Sequence, residues 1–285
     1  MTPLEYIRKA VRRLSPCLGA GEARAVAELL FHRYKGWTRT GILMHDDEEL
    51  SETTLRLLDK AIDRIAAGEP VQYVTGEAYF YGLWFKVDPR VLIPRPETAE
   101  LVDMIVDYAG GRADLDVLDL ATGSGCIAIA LARTLRFAQV SGLDISDAAL
   151  RVARENARAL GADVRFFEAD MLSWRPEPDS LDIVAANPPY IDMSERDAME
   201  PTVRDHEPSE ALFVPDADPL RYYRPAARIA YDGLRRGGAV FLEINPRHAD
   251  EITVLLNGEG FSGIEIRLDS YGRKRFAFAR KSDPS

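Results

Sequence analysis

Asn187-Pro188-Pro189-Tyr190 puts a side-chain amide, a stiff backbone and an aromatic ring side by side. Asn187 offers a side-chain carbonyl as a hydrogen-bond acceptor. Pro188 offers a backbone carbonyl whose direction the proline pair fixes, since proline restricts its own φ and the conformation of the residue before it. Two such acceptors can hold an NH2 group, and Tyr190 gives a flat face to a planar substrate. The lone pair of an amide or aromatic amino nitrogen is delocalised, so that nitrogen is a weak nucleophile. Held against an electrophilic methyl carbon, it can react by in-line displacement. Catalysis then comes from positioning and from stabilising the charge that develops on nitrogen. No strong general base is needed, because the product sheds its proton afterwards. Glutamine and asparagine amides fit this chemistry, as do the amino groups of adenine and cytosine, and the tetrapeptide does not separate them. In isolation, Asn before two prolines is also a common rigid turn.

The second constellation is Asp119-Leu120-Ala121-Thr122-Gly123-Ser124-Gly125, between an apolar run and a helical pattern. Its glycines permit a tight turn and close approach of backbone to a ligand. The helix that follows opens with unpaired N–H groups and a partial positive charge. Asp144 ends the next apolar run, about 20 residues on, where a carboxylate can accept both ribose hydroxyls of a nucleoside cofactor. Asp170 follows the third run and can accept an adenine amino group while Met171 covers the ring. A lone Asp after a strand is as often a turn residue. Gly123 to Ala128 also satisfies the loose dinucleotide pattern G-x-G-x-x-A. Asp119 favours a different cofactor: an acidic residue just before the loop suits a cationic amino-acid moiety better than a pyrophosphate. The arrangement D-x-x-x-G-x-G resembles the first motif of Rossmann-fold methyltransferases, and that resemblance implies S-adenosyl-L-methionine as the cofactor, contacted by Asp119, Ala121, Thr122, Gly123, Ser124, Gly125, Asp144, Asp170, Met171 and Asn187. A positive φ at position 121 would cost more with Ala than with Gly.

The elements that must carry these residues read as three segments. Residues 1–75 form a helical bundle, with Leu4, Ile7, Val11 and Leu14 at helical spacing, Ala25, Val26, Leu29 and Leu30 in a second helix, and Ser51 as the N-cap of a helix through Leu55, Leu58, Ile62 and Ile65. Residues 76–96 form a connector: an aromatic-rich hairpin over Ala78 to Val87, turning at Gly82, then a proline-rich stretch that excludes regular helix. Residues 97–281 alternate between helices and short apolar runs. Strands are expected at 116–120, 139–144, 163–168, 181–186, 238–244, 263–268 and 274–280, and helices at 97–109, 125–136, 146–160, 219–236 and 247–257. Such alternation means an α/β, Rossmann-like sheet that is mostly parallel, here of seven strands with a closing antiparallel pair. The tetrapeptide falls at the carboxyl end of a central strand, where open α/β sheets bind ligands.

The formal net charge of -10 argues against a long nucleic-acid partner, which needs a basic face. The one basic run, Arg8, Lys9, Arg12 and Arg13, reads as a solvated helix face. Cys17 and Cys126 match no metal-ligand spacing and read as reduced thiols, with no metal expected. The N-terminal residues lack the apolar stretch of a signal peptide, and no run of about 18 apolar residues occurs, so the expected location is the cytoplasm, with no membrane partner.

The connector and tetrapeptide together resemble the PrmC/HemK family of protein-(glutamine-N5) methyltransferases. The resemblance rests on Pro70 to Gly76, Phe85 to Thr98 (with VLIPRPET at its end), Asp119 to Ala128, Asn187 to Ile191, and Glu207-Pro208 through Ala211-Leu212. It covers roughly residues 70 to 280. It implies methyl transfer from S-adenosylmethionine to the glutamine of the GGQ loop in class-I peptide chain release factors. Asn187, Pro188, Pro189 and Tyr190 would hold that glutamine, with Arg95 and Glu97 at the cleft entrance, and the bundle would help hold the release factor. A ribosomal-protein glutamine or a nucleic-acid amino group is the alternative substrate. Two departures stand out. Ala121 replaces the glycine of many relatives, and Asn245 stands where many have Gly after Glu-Ile, at a strand end near the cleft.

Overall fold

The computed structural model describes residues 1–282. The chain divides into a helical unit, Met1–Glu77 with Glu200–His206, and a sheet unit, Ala78–Met199 with Glu207 onward.

The helical unit holds α1 (Pro3–Leu18), α2 (Ala20–Lys35), α3 (Arg39–Met44), α4 (Glu52–Ala66) and α5 (Val71–Thr75). Thr2 and Glu5 form a capping box at the start of α1, and the Ser51 hydroxyl accepts from the Thr54 N–H to cap α4. Ile7 and Leu14 of α1 meet Leu58, Ile62 and Ile65 of α4 in one apolar core. In α2 the buried stripe is Ala23, Val26, Ala27, Leu30 and Phe31; Ala25 is exposed and Leu29 only half-buried, so the inward face matches the expected one at Val26 and Leu30 alone. The four basic residues of α1 are exposed, with Lys9 paired to Asp59 at 2.8 Å.

The hairpin β1 (Glu77–Phe80) and β2 (Leu83–Lys86) turns through Tyr81 (φ 47°) and Gly82 (φ 78°), the twin positive φ that a tight two-residue turn requires. The sheet contains β3 (Asp116–Leu120), β4 (Gln139–Asp144), β5 (Val164–Glu168), β6 (Leu181–Ala186), β9 (Leu234–Glu243), β10 (Ser262–Leu268) and β11 (Lys274–Arg280), in the order β10-β11-β9-β6-β3-β4-β5. All neighbours are parallel except the two pairs made by β11. On one face Val117, Ile183, Ala185 and Phe241 pack with α6 (Pro96–Ala109), α7 (Cys126–Thr134) and α8 (Asp147–Leu160). On the other, Leu118, Leu120, Val184 and Leu242 pack with α10 (Tyr223–Gly233) and α11 (Ala249–Gly258). Burial on both faces explains why these strands read as continuous apolar runs.

Several boundaries moved. α7 begins at Cys126 because Gly125 (φ 80°) is left-handed. The expected helix 219–236 shortens to α10, and its last residues join β9, which crosses an irregularity beside Gly237 (φ 77°) so that Leu234 pairs with Leu181. Two short pieces had not been anticipated: a parallel pair, β7 (Ile191–Asp192) with β8 (Phe213–Val214), and the six-residue α9 (Pro201–His206). Among the described residues no helix is long and apolar enough to cross a membrane.

Candidate active site

The strand order reverses beside β3, whose neighbours are β4 and β6. A crevice opens at the carboxyl end of such a switch point, and here a cleft of about 370 Å³ lies there. That volume falls in the range of roughly 300–1,000 Å³ usual for small-molecule sites. Of the residues expected to bind ligand, Ala121, Gly123, Asp144, Asp170, Met171, Asn187 and Pro189 line it.

The glycine loop is built from alternating left-handed residues: Ala121 (φ 54°), Gly123 (φ 55°) and Gly125 (φ 80°). Between them, Thr122 and Ser124 turn inward and are buried. The Thr122 N–H donates to the Leu143 carbonyl (2.9 Å), and the Gly123 N–H donates to Asp144 Oδ2 (2.9 Å), tying the loop to β4. Asp144 Oδ1 accepts from the Ser146 N–H (2.9 Å). Burial raises the Asp144 carboxyl above its usual range, against these N–H groups. A Cβ on Gly123 would meet nothing within 4 Å, so that residue leaves room on the cleft side of the loop. At Gly125 the loop is closed: a Cβ would strike Phe166 at 2.9 Å.

Asp119 lies beneath the loop with no exposed surface. Its Oδ2 accepts from Thr122 Oγ1 (2.6 Å) and from the Ala128 N–H (3.3 Å), which caps α7. Its Oδ1 is buried without a partner. Burial pushes this carboxyl up to about 7; the Thr122 and Ala128 bonds oppose that, and the charge of Asp144 adds to it. Asp119 therefore lies behind the loop and is not part of the cleft wall. Asp170 turns one oxygen to the Leu172 N–H (2.9 Å) and so serves as a turn residue as well as a cleft wall.

On the other side of the switch point β6 ends at Ala186 and Asn187 begins the tetrapeptide. Asn187 Nδ2 donates to Thr98 Oγ1 (3.1 Å), and Thr98 Oγ1 donates to Glu243 Oε2 (2.7 Å). The Tyr190 hydroxyl donates to Glu243 Oε1 (3.0 Å) and accepts from Arg275 Nη1 (3.3 Å). Glu243 is 1% exposed; burial raises its carboxyl, opposed by the bonds from Thr98 and Tyr190 and by the Arg275 charge, with Glu97 adding to the rise. Burial, then the neighbouring Glu243, also pushes the Tyr190 phenol up. Pro188 is buried.

Residues 5–76 match the PrmC N-terminal domain family, and residues 117–205 match a methyltransferase domain family. The chain is 40% identical over 277 residues to a release factor glutamine methyltransferase of Bacteroides thetaiotaomicron, covering 97% of this chain and 98% of the relative. Proteins of the same description from Flavobacterium psychrophilum (36%, 95% and 96% covered) and Deinococcus radiodurans (34%, 98% and 98% covered) are similar over the same extent. The chain belongs to the release factor glutamine methyltransferase family. It is an enzyme with the class I methyltransferase fold, a seven-stranded mostly parallel sheet preceded by a helical region, as the sequence led us to expect.

Four of the expected substrate-contacting residues lie elsewhere than in the cleft wall. Arg95 Nη2 donates to the buried Glu207 (2.7 Å), which also accepts from the Ile93 N–H (3.0 Å), so this pair pins the proline-rich segment. Glu97 is half-buried in the first turn of α6. Neither Arg95 nor Glu97 is part of the cleft wall, and neither are Pro188 and Tyr190. The departure at Asn245 has a use: its Nδ2 donates to the Tyr190 carbonyl (3.1 Å) and to Glu195 (2.7 Å), bracing the far end of the tetrapeptide. Thr98, Glu243, Glu207 and Arg275 had no assigned role before the structure. The signal for Glu243 was present: a carboxylate ending the apolar run AVFLE has to find partners or pay a desolvation cost. Among the described residues no group of His, Cys, Asp and Glu could hold a metal ion.

Proposed function

We propose that this chain transfers a methyl group from S-adenosyl-L-methionine to the side-chain amide nitrogen of the GGQ glutamine in class-I peptide chain release factors, in the cytoplasm. The observation that carries this reading is the Asn187 carboxamide. Its nitrogen end is tied back to Thr98, which leaves its carbonyl for the cleft that the glycine loop and Asp144 also line. The donor set suits the cofactor. Asp144 has lone pairs left for ribose hydroxyls, Asp170 and Met171 suit an adenine, the loop 121–125 leaves room at Gly123, and Asp119, ionised above about pH 7, suits a cationic amino-acid end. When bound, S-adenosylmethionine supplies an electrophilic methyl carbon on a sulfonium.

The work of the chain's own residues is to orient the nucleophile. The Asn187 carbonyl accepts one amide hydrogen at the cleft wall and aims the nitrogen; the Pro188 backbone carbonyl, behind that wall in the substrate-free chain, accepts the second once the glutamine has entered. The nitrogen held in this way would take the methyl carbon while the electron pair of the broken C–S bond stays with sulfur, and would then release one proton to water. Pro189 and Tyr190 keep this backbone rigid, Tyr190 through its anchored hydroxyl. The bundle, residues 1–75, would hold the release factor, and the nearly full-length similarity to named release factor glutamine methyltransferases supports that substrate class.

The test is mass spectrometry of a release factor incubated with enzyme and cofactor, beside its GGQ Gln→Ala variant. A gain of one methyl on the wild-type factor alone is expected. Methyl transfer to a ribosomal protein instead, or none with cofactor binding verified, would refute the assignment.

A further inference from the structure

The two ends of a carboxamide are nearly the same size, so packing alone does not decide which one faces a cleft. At Asn187 the choice matters: the carbonyl end accepts an incoming NH2, whereas the NH2 end repels it. Leu242 of β9 pairs with Ala186 of β6, so Glu243 and Asn187 follow at the same level of adjacent parallel strands. Thr98 is the third residue of α6 and is buried. Its hydroxyl has one proton, and the Glu243 carboxylate 2.7 Å away takes it. With that proton committed, Thr98 can only accept from Asn187, which must turn its NH2 end to the hydroxyl.

We propose that Thr98 and Glu243 are positioning residues that set the Asn187 carboxamide carbonyl-outward for methyl transfer. This rests on the function proposed above. One carboxylate serves both polar side chains of the tetrapeptide, because its second oxygen accepts the Tyr190 hydroxyl. Tyr190 in turn has its lone pair occupied by Arg275, so its proton too has a single destination. The whole chain of donors therefore runs one way, towards Glu243. A neutral carboxamide at position 243 breaks that order. Turned towards Thr98, its NH2 frees the threonine proton to capture the Asn187 carbonyl. Turned towards Tyr190, it leaves the phenol proton without an acceptor.

The experiment compares T98V, which keeps shape and loses the hydroxyl, with T98S, which keeps the hydroxyl, and with E243Q. Methyl transfer to a release factor gives kcat and KM, and calorimetry gives the S-adenosylhomocysteine Kd. T98V and E243Q are expected to lower kcat about ten- to a hundred-fold, the scale of a misplaced reacting group. Their S-adenosylhomocysteine Kd stays within about three-fold of wild type, and T98S keeps kcat within about three-fold, as a directional hydrogen bond predicts. On the N187A background, T98V should add less than about two-fold, since the two act as one unit. Wild-type kcat in T98V, or an undiminished T98V effect on N187A, overturns the positioning role. An inactive wild type would count against the function instead. The positioning role is then read from the substrate-free protein: Asn187 side-chain NH2 protons exchange more slowly in wild type and T98S than in T98V, and equal exchange overturns it.

Discussion

At the glycine loop, three left-handed residues set the path, and the loop's own N–H groups reach Leu143 and Asp144 on the neighbouring strand. At the tetrapeptide, 66 residues beyond Thr122 in the case of Pro188, the backbone is stiff but the polar side chains are aimed by partners from α6, β9 and β11. The first half is local and mostly backbone; the second is assembled from four separate stretches of chain. Backbone recognition suits a cofactor that is the same in every turnover. On the function proposed above, side-chain aiming suits the nucleophile, since the direction of one carboxamide would decide whether the group that arrives is held or repelled.

The comparison breaks most sharply at Asn187. Asn187→Ala removes the acceptor and leaves the loop, Asp144 and Met171 untouched. We expect kcat to fall at least a hundred-fold, the size seen when one preorganised polar group is lost from an active site, roughly 3 kcal/mol. The S-adenosylhomocysteine Kd should stay within a few-fold. Near-normal turnover would show that the two halves do not divide the work in this way.

What could be read from the sequence follows the same division. The loop, Asp144 and Asp170 are visible because strand, turn and helix succeed one another at fixed spacing. The central strands β3, β6 and β9 are visible because both their faces are buried, whereas the largely exposed β10 shows only through its alternation and its place before β11. Even the strain at Ala121 could be anticipated from one residue type at one turn position. The relay could not be read that way: Thr98 and Glu243 are 145 residues apart, and nothing in PRPET or in AVFLE names the other. Asn245 had stood out only as a departure, since its use as a brace depends on where the Tyr190 carbonyl lies. In α2, Val26 and Leu30 face the core as the sequence predicts, but alanines on several faces of a helix carry little directional signal, and Ala23 and Ala27 rather than Ala25 meet the core.

A second test sharpens the loop's side of the comparison. The folded-state pKa of Asp119, about 7, lies above the ordinary 3.8. Between those values the native chain holds a proton that the unfolded chain has released. The stability this provides is complete below about pH 4 and is lost as the pH rises through about 7. Asp119→Asn keeps an acceptor for Thr122 and Ala128 and removes the charge. Cofactor-free D119N should be more stable than wild type at pH 8 by about 2 kcal/mol, part of the roughly 4 kcal/mol that the difference in pKa represents. The gap should narrow steadily towards pH 5 in thermal unfolding. At the same time S-adenosylhomocysteine should bind more weakly, because a buried negative charge beneath the loop is gone. A pH-independent difference would mean that Asp119 acts as a neutral cap of α7 and nothing more.

The smallest effect belongs to Ala121, and it measures how far backbone geometry alone governs this half of the cleft. At φ 54° its Cβ opposes the left-handed conformation at a cost of about 1 kcal/mol. Ala121→Gly relieves that strain but gives the unfolded chain more freedom, an opposing contribution of roughly 0.4–1 kcal/mol. It also removes a methyl group that packs against the apolar core on the second face of the sheet. The contributions nearly cancel, so denaturant unfolding should place the variant within about 0.5 kcal/mol of wild type, with S-adenosylhomocysteine affinity within about two-fold. A loss above about 1 kcal/mol would show that the methyl contributes more through packing than it costs in strain, and the loop would then depend on side chains as the tetrapeptide does. A gain of that size would show strain retained at the cleft wall, with Gly the better-fitting residue at this turn.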